Sequence, residues 1–123
     1  MAKKILIVED DNALRGLLIQ KIKGELFDVV DAADAFEVYK KLDAHVFDGV
    51  ILDLMLPEID GYEVIRKIRA HATNSKTKVL VFSNLADETH INKALNAGTN
   101  RYLVKTNVTL EELAEHLTEM VRE

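Results

Sequence analysis

Glu9 and Asp10 close the run KKILIVED, and Asp53 closes GVILD. Each follows an apolar stretch that reads as a buried strand. Two later runs end in the same way, VLVF at Ser83 and RYLV at Lys105. If these strands are parallel neighbours, their carboxyl ends bring three carboxylates, a hydroxyl and a cation into one crevice, where ligands of open α/β sheets bind.

Carboxylates at close range repel one another unless protons, a lysine or a metal ion offset the charge. A hard divalent cation suits the cluster, because Mg²⁺ takes oxygen ligands, keeps several waters and commonly uses one or two carboxylates plus a phosphate oxygen. Mg²⁺, with Mn²⁺ as its substitute, is therefore the expected ion, and Glu9, Asp10 and Asp53 could bind it directly or through water. A carboxylate can also be a nucleophile, as in aspartyl-phosphate chemistry. Asp53 is the best placed candidate. Phosphoryl transfer asks for in-line positioning and neutralisation of oxygen charge, roles that match Lys105 and Ser83.

The elements that must position these groups alternate without a break. Strands are predicted at 3–8, 28–32, 48–52, 78–82 and 100–104, with helices between and after them. Asp34 with Glu37, Asp60 with Glu63 and Thr109 with Glu112 have the spacing of a capping box, in which two unpaired backbone donors are satisfied reciprocally. Asn12 and Asp87 are the expected caps of the other two helices, and Asp11 reads as a cap or loop residue. Leu110, Leu113, Ala114, Leu117 and Val121 line one face of the last helix, and Leu14, Leu17, Leu18 and Ile22 one face of the first. Ile91, Ala94 and Leu95 form a shorter stripe before Gly98, a C-terminal stop.

Strands such as ILIV and VILDL are continuously apolar, as parallel strands covered on both faces require. The intervals between strands are long enough for helical crossovers. The expected fold is α/β: a (βα)5 doubly wound parallel sheet in a flavodoxin-like three-layer sandwich. Strand order 2-1-3-4-5 would place strands one and three side by side at the switch point.

The 123 residues, 48% apolar and 30% charged, fit one globular domain over 1–123. No apolar run is long enough to cross a bilayer, and no signal-peptide apolar region follows Met1, so a cytoplasmic protein without a membrane partner is expected. The absence of cysteine excludes disulfides and thiolate chemistry. A net charge of −5 with no basic stripe argues against direct nucleic-acid binding. His45, His71, His90 and His116 share no metal-ligand spacing and read as surface histidines. Met1, Met55 and Met120 form no stripe, and Glu111, Glu112, Glu115 and Glu119 read as the solvated face of the last helix.

The chain resembles the receiver domain of two-component response regulators, of the chemotaxis-receiver type, over essentially its whole length. IVEDD carries the acidic pair Glu9 and Asp10; ILDLMLPEIDG carries Asp53 with Pro57 and Gly61; VFSN carries Ser83; YLVK carries Tyr102 and Lys105. The resemblance implies that Asp53 accepts a phosphoryl group from a histidine kinase or small phosphodonor, the domain catalysing its own phosphorylation and dephosphorylation at Asp53 but acting as no other enzyme. Mg²⁺ would be held by Asp10, Asp53 and the Met55 carbonyl, with Glu9 acting through water. Ser83 would bond the phosphoryl group, Lys105 would pair with it, and Tyr102 would move from exposed to buried. The output would be a shift of the face made by the fourth helix, fifth strand and fifth helix, read by a target protein or a second copy.

The chain departs from the usual pattern in two places. Thr106 stands where many relatives have a proline after a cis peptide, which leaves the Lys105–Thr106 bond open between cis and trans. Asn84 stands where a smaller residue is common. Met55 and Leu85 occupy positions that tune phosphoryl lifetime, and both are apolar. The sequence stops after the fifth helix, as a stand-alone receiver without an output domain would, although an excised domain reads the same. Kinase, target and oligomeric state are not encoded in these motifs. Among rivals, a haloacid-dehalogenase-type phosphatase needs a second aspartate where Met55 stands. A flavodoxin-like nucleotide binder needs a glycine-rich phosphate loop that no strand here precedes. A pseudo-receiver used only for partner binding would have no need to retain every key position.

Overall fold

The computed structural model describes residues 2–123. In chain order the elements are β1 (Lys4–Val8), α1 (Asn12–Gly24), β2 (Asp28–Ala32), α2 (Ala35–Ala44), β3 (Gly49–Leu52), β4 (Met55–Leu56), β5 (Ile59–Asp60), α3 (Gly61–Ala70), β6 (Lys78–Ser83), α4 (Glu88–Ala97), β7 (Arg101–Val104) and α5 (Leu110–Arg122). Five strands form one parallel sheet in the order β2-β1-β3-β6-β7, which is the expected 2-1-3-4-5 arrangement of the sheet strands. The hairpin β4-β5, antiparallel and two residues on each side, was not foreseen. Its turn is Pro57–Glu58, with Glu58 in the left-handed region at φ 67°.

Successive strand side chains point to opposite faces of the sheet, which explains why the strands lack polar alternation. Leu6, Val8, Val50, Leu52, Val79 and Val81 pack with α2, α3 and α4 on one face. Ile5, Ile7, Ile51, Leu80 and Phe82 pack with α1 and α5 on the other. Gly49 lets α5 lie close to β3, since a Cβ there would sit 2.9 Å from Val121 Cγ1.

The α5 stripe is buried from Leu113 to Val121 and includes Met120, wholly enclosed, which the sequence reading left unassigned. In α1 only Leu18 and Ile22 are buried, whereas Leu17 is exposed. In α4 only Ala94 is buried. Leu95, expected on that stripe, faces solvent because the short helix touches the sheet along one narrow line.

The capping expectations divide. Thr109 and Glu112 make a complete box, at 3.1 and 2.9 Å. Asp34 caps the Glu37 N–H, but the Glu37 carboxylate reaches back one residue too far and accepts from the Ala33 N–H. Asp60 caps the Tyr62 N–H, while Glu63 turns outward to Arg66, so no box forms. The α1 cap is Asp11, which accepts from the Leu14 N–H at 3.0 Å; Asn12 is already helical and accepts from Arg15. Asp87 holds the cap position of α4 without a cap bond, because its carboxylate is engaged by the His90 ring.

Candidate functional site

All five sheet strands run in the same direction, so their carboxyl ends share one edge. The residues of interest continue the strand ladders by one step. The Glu9 N–H donates to the Ala32 carbonyl at 3.2 Å, the Asp53 N–H to Val8 at 3.1 Å and the Lys105 N–H to Ser83 at 2.9 Å. Main-chain bonds thus fix the starting points of Glu9, Asp53 and Lys105 before any side-chain interaction is made. Arg15 of α1 adds a further hold by donating to the Glu9 carbonyl at 2.8 Å.

The carboxylates of Glu9, Asp10 and Asp53 offer oxygens that all lie within 4.8 Å of one another. Glu9 and Asp53 are buried, and Asp10 opens to solvent. Lys105 Nζ donates to Glu9 Oε1 and to Asp53 Oδ2, each at 2.7 Å. The second oxygen of each acid takes a backbone donor: the Asp11 N–H on Glu9 Oε2 at 3.1 Å and the Met55 N–H on Asp53 Oδ1 at 3.0 Å.

Burial pushes the Glu9 carboxyl above its usual range, with the neighbouring Asp53 charge adding to it, while Lys105 and the Asp11 N–H pull the other way. Burial draws the Lys105 ammonium down, yet its bonds to Asp53 and Glu9 outweigh this and hold it above its ordinary value. The donor set is all oxygen, closely spaced and open at Asp10. It therefore fits a hard cation such as Mg²⁺, with the Met55 main chain alongside Asp53.

Ser83, fully buried as the last residue of β6, accepts weakly from the Leu85 N–H at 3.4 Å. Tyr102 is half-buried, not exposed as the sequence reading had it at rest. Its hydroxyl donates to the Leu85 carbonyl at 2.6 Å. Burial, followed by the nearby Tyr62 and Asp87, raises its phenol to about 12. The Lys105–Thr106 peptide is trans. Met55, two residues past Asp53, is 56% exposed.

The loop after Asp53 is folded back by Gly61, whose N–H reaches the Leu54 carbonyl at 3.2 Å and where a Cβ would lie 2.5 Å from Leu54 Cα. The four histidines lie outside the cluster, half-buried rather than solvated, each beside its own partner: His45 by Lys4, His71 by Asp43, His90 by Asp87 and His116 by Arg101. Arg15 and Tyr62 were not singled out from the sequence. Arg15 carries only a helical spacing from Asn12, and Tyr62 looks like one more apolar position of α3.

A family model for the response regulator receiver domain matches residues 5–118. The chain belongs to that family. Transcriptional regulatory protein SrrA of Staphylococcus aureus is 32% identical over 105 residues, covering 85% of this chain and 42% of SrrA, so the chain spans about two fifths of the length of that curated relative. A CheY-like response regulator receiver domain protein from Methanospirillum hungatei is 30% identical with a TM-score of 0.90, over 99% of this chain and 95% of that one. The receiver domain of sensor histidine kinase PA1611 from Pseudomonas aeruginosa, 24% identical with a TM-score of 0.89 over the whole of both chains, shares the fold; its structure has a magnesium ion in the active-site cleft.

Proposed function

We propose that this receiver domain is a phospho-accepting signalling switch whose acceptor is Asp53. The observation that carries the reading is the pair of bonds from Lys105 to Asp53 and Glu9 at converging strand ends. An Asp53 carboxylate oxygen attacks the phosphorus of the donor, a phosphohistidine of a sensor kinase or phosphotransfer protein, or a small phosphodonor. A phosphorus–oxygen bond forms, the bond from phosphorus to the donor breaks, and the donor leaves with that electron pair. Lys105 pairs with a phosphoryl oxygen, and the Ser83 hydroxyl donates to another. Asp10, Asp53 and the Met55 carbonyl would hold Mg²⁺, or Mn²⁺ in its place, with Glu9 behind them through water. When bound, the ion neutralises charge on the transferring phosphoryl oxygens.

The output is a population shift. Ser83 moves toward the phosphoryl group, the segment after it follows, and Tyr102 settles further inward. The face of α4, β7 and α5 is then read by a target protein or a second copy. Family membership and the lack, among the described residues, of any helix long and apolar enough to span a membrane support a cytoplasmic setting. The domain performs no catalysis beyond its own phosphorylation and dephosphorylation. Met55, at the position where a phosphatase would need its second aspartate, weighs against the enzyme reading.

The test is intact mass after incubation with acetyl phosphate or phosphoramidate and Mg²⁺, with wild type and Asp53→Asn in parallel. One phosphoryl adduct on wild type alone is expected. An adduct that survives in Asp53→Asn would remove Asp53 from its role. No adduct on wild type, with Mg²⁺ bound, would leave a pseudo-receiver used for partner binding.

A further inference from the structure

Tyr62 lies in the first turn of α3, one residue past Gly61, and is therefore tied to the loop that follows Asp53. Its N–H donates to Asp60 Oδ1 at 2.9 Å, next to the Gly61–Leu54 contact already described. On its other side the ring meets α4: Lys93 Nζ stands 4.4 Å from the ring centroid, and the His90 imidazole lies nearly parallel at 6.3 Å. The side chain is 6% exposed and shares an apolar cluster with Leu54, Leu56 and Ala94, against which Leu85 and Tyr102 also pack.

Packing alone does not explain this residue. A phenylalanine would fill the same space, whereas the Tyr62 hydroxyl is shielded from solvent and makes no hydrogen bond among the described residues. A buried hydroxyl without a partner loses its hydration and gains nothing in return. Two acceptors on the neighbouring segment are engaged elsewhere. The Leu85 carbonyl takes the Tyr102 hydroxyl, and the Asp87 carboxylate holds the His90 ring.

We propose that Tyr62 is a positioning residue of the switch. When the segment Asn84–Asp87 follows Ser83 toward a phosphorylated Asp53, it brings an acceptor onto the Tyr62 hydroxyl, and the bond missing in the resting arrangement is made. This rests on the phospho-accepting reading above. A bond present in only one of two arrangements shifts the population toward it, and a single neutral hydrogen bond shifts it roughly fivefold. Tyr62 thus penalises the resting state and rewards the switched one, and it joins the acceptor loop to α4 without touching the phosphoryl group.

Tyr62→Phe, Tyr62→Leu and wild type would be compared by melting temperature, Mg²⁺ affinity, intact mass after acetyl phosphate, and amide resonances of Ser83–Glu88 titrated with beryllofluoride. Tyr62→Phe is expected to take the same adduct and bind Mg²⁺ equally, to melt higher than wild type, and to need roughly fivefold more beryllofluoride for half the shift. Tyr62→Leu should show the same displaced midpoint while melting lower, since it also loses packing. Wild-type melting and midpoint in Tyr62→Phe, with a normal adduct, would overturn the role of Tyr62 and leave Asp53 as acceptor. Absence of adduct and of any beryllofluoride shift in wild type would instead remove the phospho-accepting reading, and this proposal with it.

Discussion

Asp53 Oδ2 accepts from Lys105 Nζ at 2.7 Å across a sequence separation of 52 residues, in a cleft where both side chains are mostly buried. The same ammonium serves Glu9, so one lysine offsets two enclosed carboxylates. A divalent cation bound by Asp10 and Asp53 would answer the same negative charge, and the two positive groups would repel each other. Lys105 therefore holds the acidic cluster together and would limit how tightly a metal binds.

Lys105→Met should separate these two effects. Without the ammonium, Glu9 and Asp53 face each other with only their backbone donors, and the metal-free protein should lose on the order of 2 kcal/mol, as when one partner of a buried pair is removed in a cleft that still admits water. Mg²⁺ affinity should rise about tenfold, because a like charge has gone. Denaturant melts with and without Mg²⁺ test both. A variant as stable as wild type with unchanged affinity would mean that Lys105 points to solvent most of the time.

Asp53→Asn relieves the Glu9–Asp53 repulsion while its amide oxygen can still accept from Lys105. The metal-free protein should gain about 1 kcal/mol, and Mg²⁺ binding should weaken. Equal melting temperatures and equal affinities for variant and wild type would contradict the closeness of the three acids.

Arg69 is a clip between segments remote in sequence. Its guanidinium donates to the carbonyls of Gly98, Ser75 and Thr77 and to Asn100 Oδ1, and burial lowers its pKa from the ordinary value. Gly98, left-handed at φ 115°, presents its carbonyl to this fork. A lysine reaches one or two of these acceptors but not the fan, so Arg69→Lys should cost about 2 kcal/mol and roughly 5–10 °C in Tm. A shift under one degree would show that the fork contributes only in appearance.

What the sequence could and could not disclose follows from the range of the forces involved. Apolar runs and caps are local, so strand positions, helix starts and the carboxyl-end residues Glu9, Asp53, Ser83 and Lys105 were readable. The Asp11 and Asn12 assignments differ by one residue because both side chains can accept a backbone bond, and only the path of the chain decides between them. Arg69 and the buried Asn74, which accepts from the Phe47 N–H and donates to the Leu42 and His45 carbonyls, were invisible, since the remote segments they tie down lie 27 to 32 residues away with no periodic trace. The unpaired Tyr62 hydroxyl was hidden for the opposite reason: an aromatic ring at an apolar helical position looks complete without it.

All three tyrosines are raised above the usual phenol value, Tyr39 and Tyr62 by burial first and Tyr102 to about 12. Below about pH 10 the phenols are neutral in both folded and unfolded chains, and their contribution to stability is intact. As pH rises through the window from about 10 toward 12, the unfolded chain loses protons that the folded one retains, and stability falls. Tyrosinate absorbance should rise late, and Tyr102→Phe should remove the last component. Ordinary titration of all three near pH 10, with the fold intact, would mean that the rings are open to water.

Met55 and Leu85 stand two residues past Asp53 and Ser83 respectively, and both are apolar. Met55 is 56% exposed and donates its N–H to Asp53 Oδ1, and the Leu85 carbonyl is held by the Tyr102 hydroxyl. If the water that hydrolyses an aspartyl phosphate passes these two residues, neither side chain can hold or orient it. Replacing both with asparagine should shorten the phosphoryl lifetime, by roughly the 10²-fold that a well-placed water-orienting group can supply. Lifetimes read by intact mass after the donor is removed decide it. An unchanged lifetime in the double variant, with phosphorylation itself normal, would mean that access is governed elsewhere, with Asn84 beside Ser83 the next residue to change.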